Sequence, residues 1–257
     1  MSIIDDIYAL KKGEAQCLYK GHDTEIWQHC SYRWLNQGGN LIQSIMDMEN
    51  PTRPLNPVTL YMLAALSLLP NPQSLLNLGF GGGALERYLH HHFPTVNTQS
   101  VDSDELVIHL AREYFAIDPG YAVYLEDAGR FVGGVEECYD AVLCDIFDGQ
   151  RHPGCLYQEN FYRACRQRLQ TDGLLIANLV PEDEADMLRL LLPLRQHFSQ
   201  TGLIELPDHD NLILLASNTA LLRPTNSVWK QTLQQVADTS ADEILGTMTI
   251  LPPTKAC

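Results

Sequence analysis

Three aspartates stand at the carboxyl ends of predicted strands: Asp102 after VNTQSV, Asp127 after YAVYLE and Asp145 after CYDAVLC. A carboxylate can accept hydrogen bonds from ribose hydroxyls, bind a cation or receive a proton. In an open α/β sheet a ligand lies beyond the carboxyl ends of the strands, so the three side chains are expected to converge on one crevice. Taken singly, each aspartate is explained equally well as a helix cap or a turn residue.

A glycine cluster follows a fourth predicted strand and offers the backbone for a nucleotide site. The apolar segment 74–78 leads into four glycines: Gly79, Gly81, Gly82 and Gly83. Residues without a Cβ let the chain turn sharply and let a ligand lie on main-chain N–H groups where the next helix begins. Glycine clusters also make ordinary turns, but Asp102 comes 19 residues after Gly83, which suits a ribose-binding carboxylate.

The predicted elements alternate between strand and helix in the order of a doubly wound, mostly parallel α/β sheet that closes with an antiparallel hairpin. Helices are predicted over residues 58–69, 84–92, 104–115, 161–169 and 182–198, and the closing pair of strands over 203–206 and 212–216. The nearly continuous apolar run before Asp145 is typical of a strand buried on both faces. The sequence therefore predicts that the aspartates and the glycines share one edge of this sheet.

A small antiparallel β unit precedes the sheet. Strands are predicted over 15–20, 25–35 and 41–46, with the hairpin turn NQGGN between the last two. Three prolines between residues 51 and 57 then interrupt regular structure. The expected division is a β-hairpin unit over 1–56, a cofactor-binding domain over 57–220 and a C-terminal helix with a tail over 221–257.

Composition limits the classes of partner. The formal net charge is −15 and the pI about 4.8, which argues against general binding of nucleic acid or anionic membranes and suits a cationic substrate. Seven scattered cysteines without a Cys-x-x-Cys pair, and the lack of a secretory or membrane-spanning pattern, favour a cytoplasmic protein. Adjacent histidines 90–92 point in different directions on a helix, so we expect a solvated helix end and no metal site.

The chain resembles the spermidine synthase family of polyamine aminopropyltransferases, which share the S-adenosylmethionine-dependent methyltransferase type of Rossmann fold. The resemblance runs from about residue 41 to 217 and is carried by LIQ, LNLGFGGGALERYL, SVDSDELVIHLAREYF, EDAGRF, YDAVLCDIFDG and YRACRQRLQTDGLLIANL. It implies a homodimer that binds a nucleoside sulfonium and a small cationic amine.

The resemblance also implies a role for individual residues. Gly79, Gly81 and Gly83 would pass beneath the methionine-like part of the cofactor. Asp102 would hold the ribose, and Asp127 with Ala128 would meet the adenine. The further expected cofactor contacts are Gln43, Gly82, Ser103 and Asp145. Asp145 would orient and deprotonate the attacking amine, Asp148 would be the second acid of the D-x-x-D loop, and Tyr61 would be a substrate contact.

Two departures from the family bear on the ligands. The family carries an aspartate that meets the amine of decarboxylated S-adenosylmethionine, and this chain has Gly82 there, which favours the carboxylate of intact S-adenosylmethionine. The family's tyrosine and acid run after the hairpin, which helps to form the polyamine channel, is replaced by 54–61, where Tyr61 is the candidate partner. Recognition of the cofactor is thus better marked than recognition of the acceptor.

Three hypotheses follow from these patterns. The first is transfer of an aminopropyl group from decarboxylated S-adenosylmethionine to an amine. The second is methyl transfer from S-adenosylmethionine on the same fold, and the third is a non-catalytic relative that binds a nucleoside. The paired acids Asp145 and Asp148 argue for an enzyme, because a binding module has no physical need for both.

Overall fold

The computed structural model describes residues 14–38, 41–147, 151–222 and 225–252. The strands are β1 (Gln16–Lys20), β2 (Thr24–His29), β3 (Tyr32–Gln37), β4 (Leu41–Asp47), β5 (Ser74–Leu78), β6 (Asn97–Asp102), β7 (Ala122–Leu125), β8 (Tyr139–Cys144), β9 (Leu169–Leu179), β10 (Gln200–Glu205), β11 (Leu212–Ser217) and β12 (Thr249–Ile250). The α-helices are α1 (Pro57–Leu66), α2 (Ala84–His92), α3 (Glu105–Tyr114), α4 (Ala128–Gly134), α5 (Glu159–Gln167), α6 (Glu184–Leu194), α7 (Ser227–Gln234) and α8 (Ala241–Gly246).

The N-terminal unit is an antiparallel sheet in the order β1-β2-β3-β4. The prediction of one strand over 25–35 is wrong, because the chain reverses between β2 and β3 at Cys30, whose φ is +51°. A left-handed residue other than glycine gives little sequence signal for a turn. One face of this sheet packs against the main domain, while Trp27 and Trp34 are buried together with Ile45 on the other face.

The main sheet has the order β12-β10-β11-β9-β8-β5-β6-β7. The strands β9, β8, β5, β6 and β7 run parallel, whereas β11, β10 and β12 pair antiparallel at one edge. The direction of winding reverses between β5 and β8, and that is the point where such sheets open a crevice for ligands. The predicted fold, a doubly wound and mostly parallel sheet with a closing antiparallel hairpin, is confirmed.

Helices cover both faces of the main sheet. On one face α1, α2, α7 and α8 enclose an apolar core with residues of β5, β8, β9 and β11, and on the other face α4, α5 and α6 do the same. The C-terminal helix α7 docks through Trp229, whose ring stacks on Phe93 with 3.9 Å between centroids. Helix α8 and strand β12 were absent from the prediction, because both are too short to show a period. The division at residues 56 and 220 stays a proposal.

Candidate active site

The glycine loop and Asp145 meet where β5 and β8 end side by side. The backbone N–H of Asp145 donates to the carbonyl of Leu78 at 2.8 Å, which continues the pairing of the two strands. Gly79 follows with a φ of +98°, and a Cβ placed on it would lie 2.1 Å from the carbonyl oxygen of Asp145. Glycine is therefore required here by both backbone conformation and space.

The loop N–H groups are already bonded within the protein. Those of Phe80 and Gly81 donate to Asp102 Oδ2 at 3.0 and 3.1 Å, and that of Gly82 donates to Ser44 Oγ at 2.8 Å. The N–H of Gly79 donates to the carbonyl of Val101, and the N–H of Gly83 to that of Phe80. Each of these five N–H groups thus has a protein acceptor, and the expectation that a ligand lies on the main-chain N–H groups where the helix begins stays a prediction.

Asp102 holds the glycine loop while keeping capacity for a ligand. Its Oδ1 accepts from the N–H of Asp104 at 3.0 Å, in addition to the two loop bonds on Oδ2. A carboxylate has about four acceptor positions, so one remains for a ribose hydroxyl. Burial raises the pKa of Asp102, and the backbone hydrogen bonds oppose that rise. Ser103 is exposed beside it, and the cap of α3 is Asp104.

Asp127 caps the helix α4 at the adenine side of the predicted site. Its Oδ1 accepts from the N–H of Arg130 at 2.9 Å, which is the alternative that we weighed for a single aspartate. Ala128 is buried beneath it in the apolar core. The predicted role of Asp127 near the adenine stays a prediction.

Asp145 is held by an asparagine that the sequence analysis did not single out. Asn178 Nδ2 donates to Asp145 Oδ1 at 2.8 Å, and Asp145 Oδ2 has no partner among the described residues. Burial raises the pKa of the Asp145 carboxyl, and the hydrogen bond from Asn178 opposes that rise. The arrangement presents one carboxylate oxygen for a proton or a cation. Asp148, the second predicted acid, lies outside the described residues.

Gly82 faces the N-terminal sheet. A Cβ on Gly82 would lie 2.6 Å from Ser44 Cβ, so an aspartate at this position requires a change at Ser44 as well. Behind the loop, the guanidinium of Arg87 donates to the carbonyls of Gly82 and Phe115 and its Nε donates to Pro51 at 2.8 Å. Burial lowers the pKa of Arg87 to about 10, so it remains a cation at neutral pH.

The two predicted contacts from the N-terminal half lie in different surroundings. Gln43 is the unpaired residue of a β-bulge in β4, and its Oε1 is buried without a hydrogen-bond partner in the described ranges. A buried acceptor of this kind calls for a partner. Tyr61 lies on α1, half-buried against the core of one sheet face, and burial raises its pKa. Its role as a substrate contact stays a prediction.

A second network that the sequence analysis missed lies behind the loop. Asn77 Nδ2 donates to the carbonyl of Gly79 at 2.9 Å and to Glu86 Oε1 at 2.7 Å, and Ser100 Oγ donates to the same oxygen at 2.5 Å. Burial raises the pKa of Glu86. The signal that could have found both networks is an asparagine within an apolar strand, at Asn77 in SLLNL and at Asn178 in LLIANL.

Two further searches give findings about the described residues only. They contain no cluster of three or more His, Cys, Asp or Glu side chains arranged to hold a metal ion, and His90 and His91 are exposed at the end of α2. None of the helices in these ranges combines the length and the apolar character needed to cross a membrane.

Fold and site together define a Rossmann-type domain of the methyltransferase class, with an acid at the β8 end beside a glycine loop. Residues 60–201 match the family model of the spermine/spermidine synthase domain, and the chain belongs to this family. A polyamine aminopropyltransferase of Chromobacterium violaceum is 27% identical over 224 residues, covering 84% of this chain and 82% of the relative. The family predicted from the sequence motifs is thereby confirmed.

Solved structures agree with the fold. A spermidine synthase in complex with the transition state analogue AdoDATO has a TM-score of 0.73 at 18% identity, covering 92% of this chain and 86% of that one. Human methyltransferase-like protein 13 in complex with SAH has a TM-score of 0.61 at 23% identity, covering 69% and 89%. At these identities the similarity shows the fold alone. The fold is shared with a spermidine synthase and with a methyltransferase-like protein.

Proposed function

We propose that this protein is an aminopropyltransferase that moves an aminopropyl group from decarboxylated S-adenosylmethionine to a small amine. The observation that carries the proposal is the Asp145 carboxylate, held by Asn178 beside the glycine loop with Oδ2 left without a described partner. The family membership and the name of the Chromobacterium relative support the same class of reaction.

The residues of the chain suit the nucleoside sulfonium. Gly79 leaves no room for a side chain between the loop and β8, Asp102 keeps one acceptor position, and Gln43 carries a buried acceptor without a described partner. We assign the ribose to Asp102 with Ser103, the adenine to Asp127 with Ala128, and the sulfonium side to the loop 79–83 with Gln43.

The sulfonium supplies an activated carbon, on which the amine nitrogen forms a bond while the S–C bond breaks and its electron pair stays on sulfur. The chain's task is to present a neutral nitrogen in line with that carbon, which is mostly positioning. Asp145 binds the ammonium form of the acceptor, takes its proton on Oδ2 and holds the nitrogen in place. Asp148 is proposed as the second acid for a cationic acceptor, with Tyr61 as a further contact.

One observation keeps methyl transfer from intact S-adenosylmethionine as the second candidate. The tip of the loop has Gly82 in place of a carboxylate and the Arg87 cation behind it. This local field suits a carboxylate better than an ammonium. The name of the Chromobacterium relative supports aminopropyl transfer instead. Whether the protein binds the decarboxylated or the intact cofactor is therefore the first point to test.

The test is calorimetric titration of wild type and Asp145→Asn with decarboxylated S-adenosylmethionine, S-adenosylmethionine and methylthioadenosine, followed by an assay of nucleoside release with primary diamines. We expect preference for the decarboxylated form and amine-dependent release of methylthioadenosine. Asp145→Asn should bind methylthioadenosine as wild type does and lose transfer by about 100-fold or more, because it lacks a general base.

The other results would each reject the proposal in a different way. Preference for the intact form with release of S-adenosylhomocysteine would establish methyl transfer. Binding without turnover of any acceptor would favour the non-catalytic relative, and no binding of the three nucleosides would remove both enzyme hypotheses. Loss of nucleoside binding in Asp145→Asn would make Asp145 a structural residue.

The remaining expectations about partners and location are proposals too. We propose a homodimer in the cytoplasm that takes a small cationic amine, requires no metal, and binds neither nucleic acid nor membrane. The net charge of −15 supports a cationic acceptor and opposes binding to polyanions. Trp27 and Trp34 are buried within the chain itself, so a dimer does not need them as its contact surface.

A further inference from the structure

The hydrogen bond to Asp145 is the end of a longer chain of side-chain amides. Asn211 Nδ2 donates to Asn178 Oδ1 at 2.9 Å, and Asn178 Nδ2 donates to Asp145 Oδ1 at 2.8 Å. Asn178 is 4% exposed, near the end of β9, and Asn211 directly precedes β11, which pairs with β9. The start of β11 thus places Asn211 behind Asn178, so that Asn211 acts on Asp145 only through Asn178.

The direction of these bonds depends on the charge of Asp145. An ionised carboxylate only accepts, so it bonds the amino end of Asn178, whereas a protonated carboxyl could donate to the carbonyl end of the same amide. Donation by Asn211 occupies that carbonyl end. Consecutive bonds of one direction also strengthen each other in a buried site. The arrangement therefore favours the ionised acid.

We propose that Asn211 is a positioning residue, which acts through Asn178 to keep the Asp145 carboxylate ionised and aimed into the crevice. The inference deepens the proposed function and rests on it, since an amine acceptor needs an ionised base. Burial raises the pKa of Asp145, so a device that opposes this rise serves the reaction at neutral pH.

Asn178 is the described hydrogen-bond partner of the Asp145 carboxyl, and several titratable groups lie on the neighbouring elements. They include Asp102, bonded to the glycine loop, and His152, whose Nε2 accepts from the N–H of Val180 at 3.0 Å. Cys144 precedes Asp145 on β8, and burial raises the pKa of its thiol so far that it stays neutral. Asp208, His209 and Asp210, in the loop before β11, are exposed to solvent, where their charges are screened. The loop 79–83 carries no titratable side chain.

The test compares Asn211→Leu, which keeps the branched shape and removes the donor, with Asn211→Gln, which keeps an amide. Asn97→Leu is the matched control, because Asn97 is exposed at the opposite end of the sheet. We expect the acid limb of the kcat/KM profile to move to higher pH in Asn211→Leu, with at least a threefold loss at pH 7. Asn211→Gln should restore the wild-type limb at least in part, and Asn97→Leu should not move it.

A second readout does not depend on turnover. Carbon-13 NMR titration of the Asp145 carboxyl, identified by its absence in Asp145→Asn, should show protonation at higher pH in Asn211→Leu than in wild type. Unchanged methylthioadenosine binding would exclude misfolding. An identical titration in both proteins, or an equal shift in Asn97→Leu, would overturn the role of Asn211. Lack of aminopropyl transfer in wild type would overturn the proposed function alone, because the titration would still decide the amide chain.

Discussion

Asn77 and Asn178 carry the same sequence signal and serve different parts of the molecule. Each interrupts an apolar strand of the parallel sheet near its carboxyl end, and their exposed fractions are 3% and 4%. Asn77 donates to a backbone carbonyl of the glycine loop and to the buried Glu86. Asn178 donates to Asp145, which directly follows β8.

The difference shows how one residue type can have a structural or a functional role. One partner of Asn77, the Glu86 carboxylate, is only 3% exposed, so losing the donor removes a hydrogen bond that water cannot replace. The partner of Asn178, Asp145, is partly exposed, so water can replace a lost bond but cannot restore its direction. Asn77 should therefore matter mainly for folding, and Asn178 mainly for the reaction.

Of the variants that separate the two asparagines, Asn178→Leu should have the larger effect. Without its amide, Asp145 loses both its fixed direction and the bond that favours ionisation, so kcat/KM should fall by about 10- to 100-fold, the range that misplacement of a reacting group produces. Steady-state kinetics, with methylthioadenosine binding as the control for folding, would measure it. Activity within a factor of two of wild type would end the distinction between the two asparagines.

A smaller effect, on stability, is expected for Asn77→Leu. The carbonyl of Gly79 and the carboxyl of Glu86 would each lose a donor, so the free energy of unfolding should fall by about 1–3 kcal/mol. Urea unfolding followed by circular dichroism would measure the change against Asn178→Leu. If Asn178→Leu proved the less stable of the two variants, the structural role would belong to Asn178 and not to Asn77.

The smallest effect is expected at the tip of the loop, where the double variant Ser44→Gly with Gly82→Asp makes room for the carboxylate that Gly82 lacks. Affinity for decarboxylated S-adenosylmethionine should rise by about tenfold, or 1.4 kcal/mol, and affinity for the intact form should fall. Gly82→Asp alone should destabilise the fold, because its Cβ would lie 2.6 Å from Ser44 Cβ. Parallel calorimetry, with Ser44→Gly as the control, measures both affinities. Unchanged affinities in the double variant would place the tip of the cofactor elsewhere.

Much of the fold followed from the sequence because its signals are local. The apolar strand before Gly79 and the run before Asp145 read as buried parallel strands, and the glycines marked the turn between strand and helix. The reversal at Cys30 escaped prediction because a left-handed cysteine has no compositional mark. The short β12 escaped because two residues cannot show a period.

By itself, the sequence determined the family, the fold class and the placement of Asp102, Asp127 and Asp145 at strand ends. These follow from the order of the predicted strands and from the glycine motif, which are local patterns of the sequence. The tertiary structure alone decided which groups touch them. It joined Asn211 to Asp145 through Asn178 and set Ser44 against Gly82. Such contacts depend on the pairing of strands and the docking of the N-terminal sheet, which bring together residues distant in sequence.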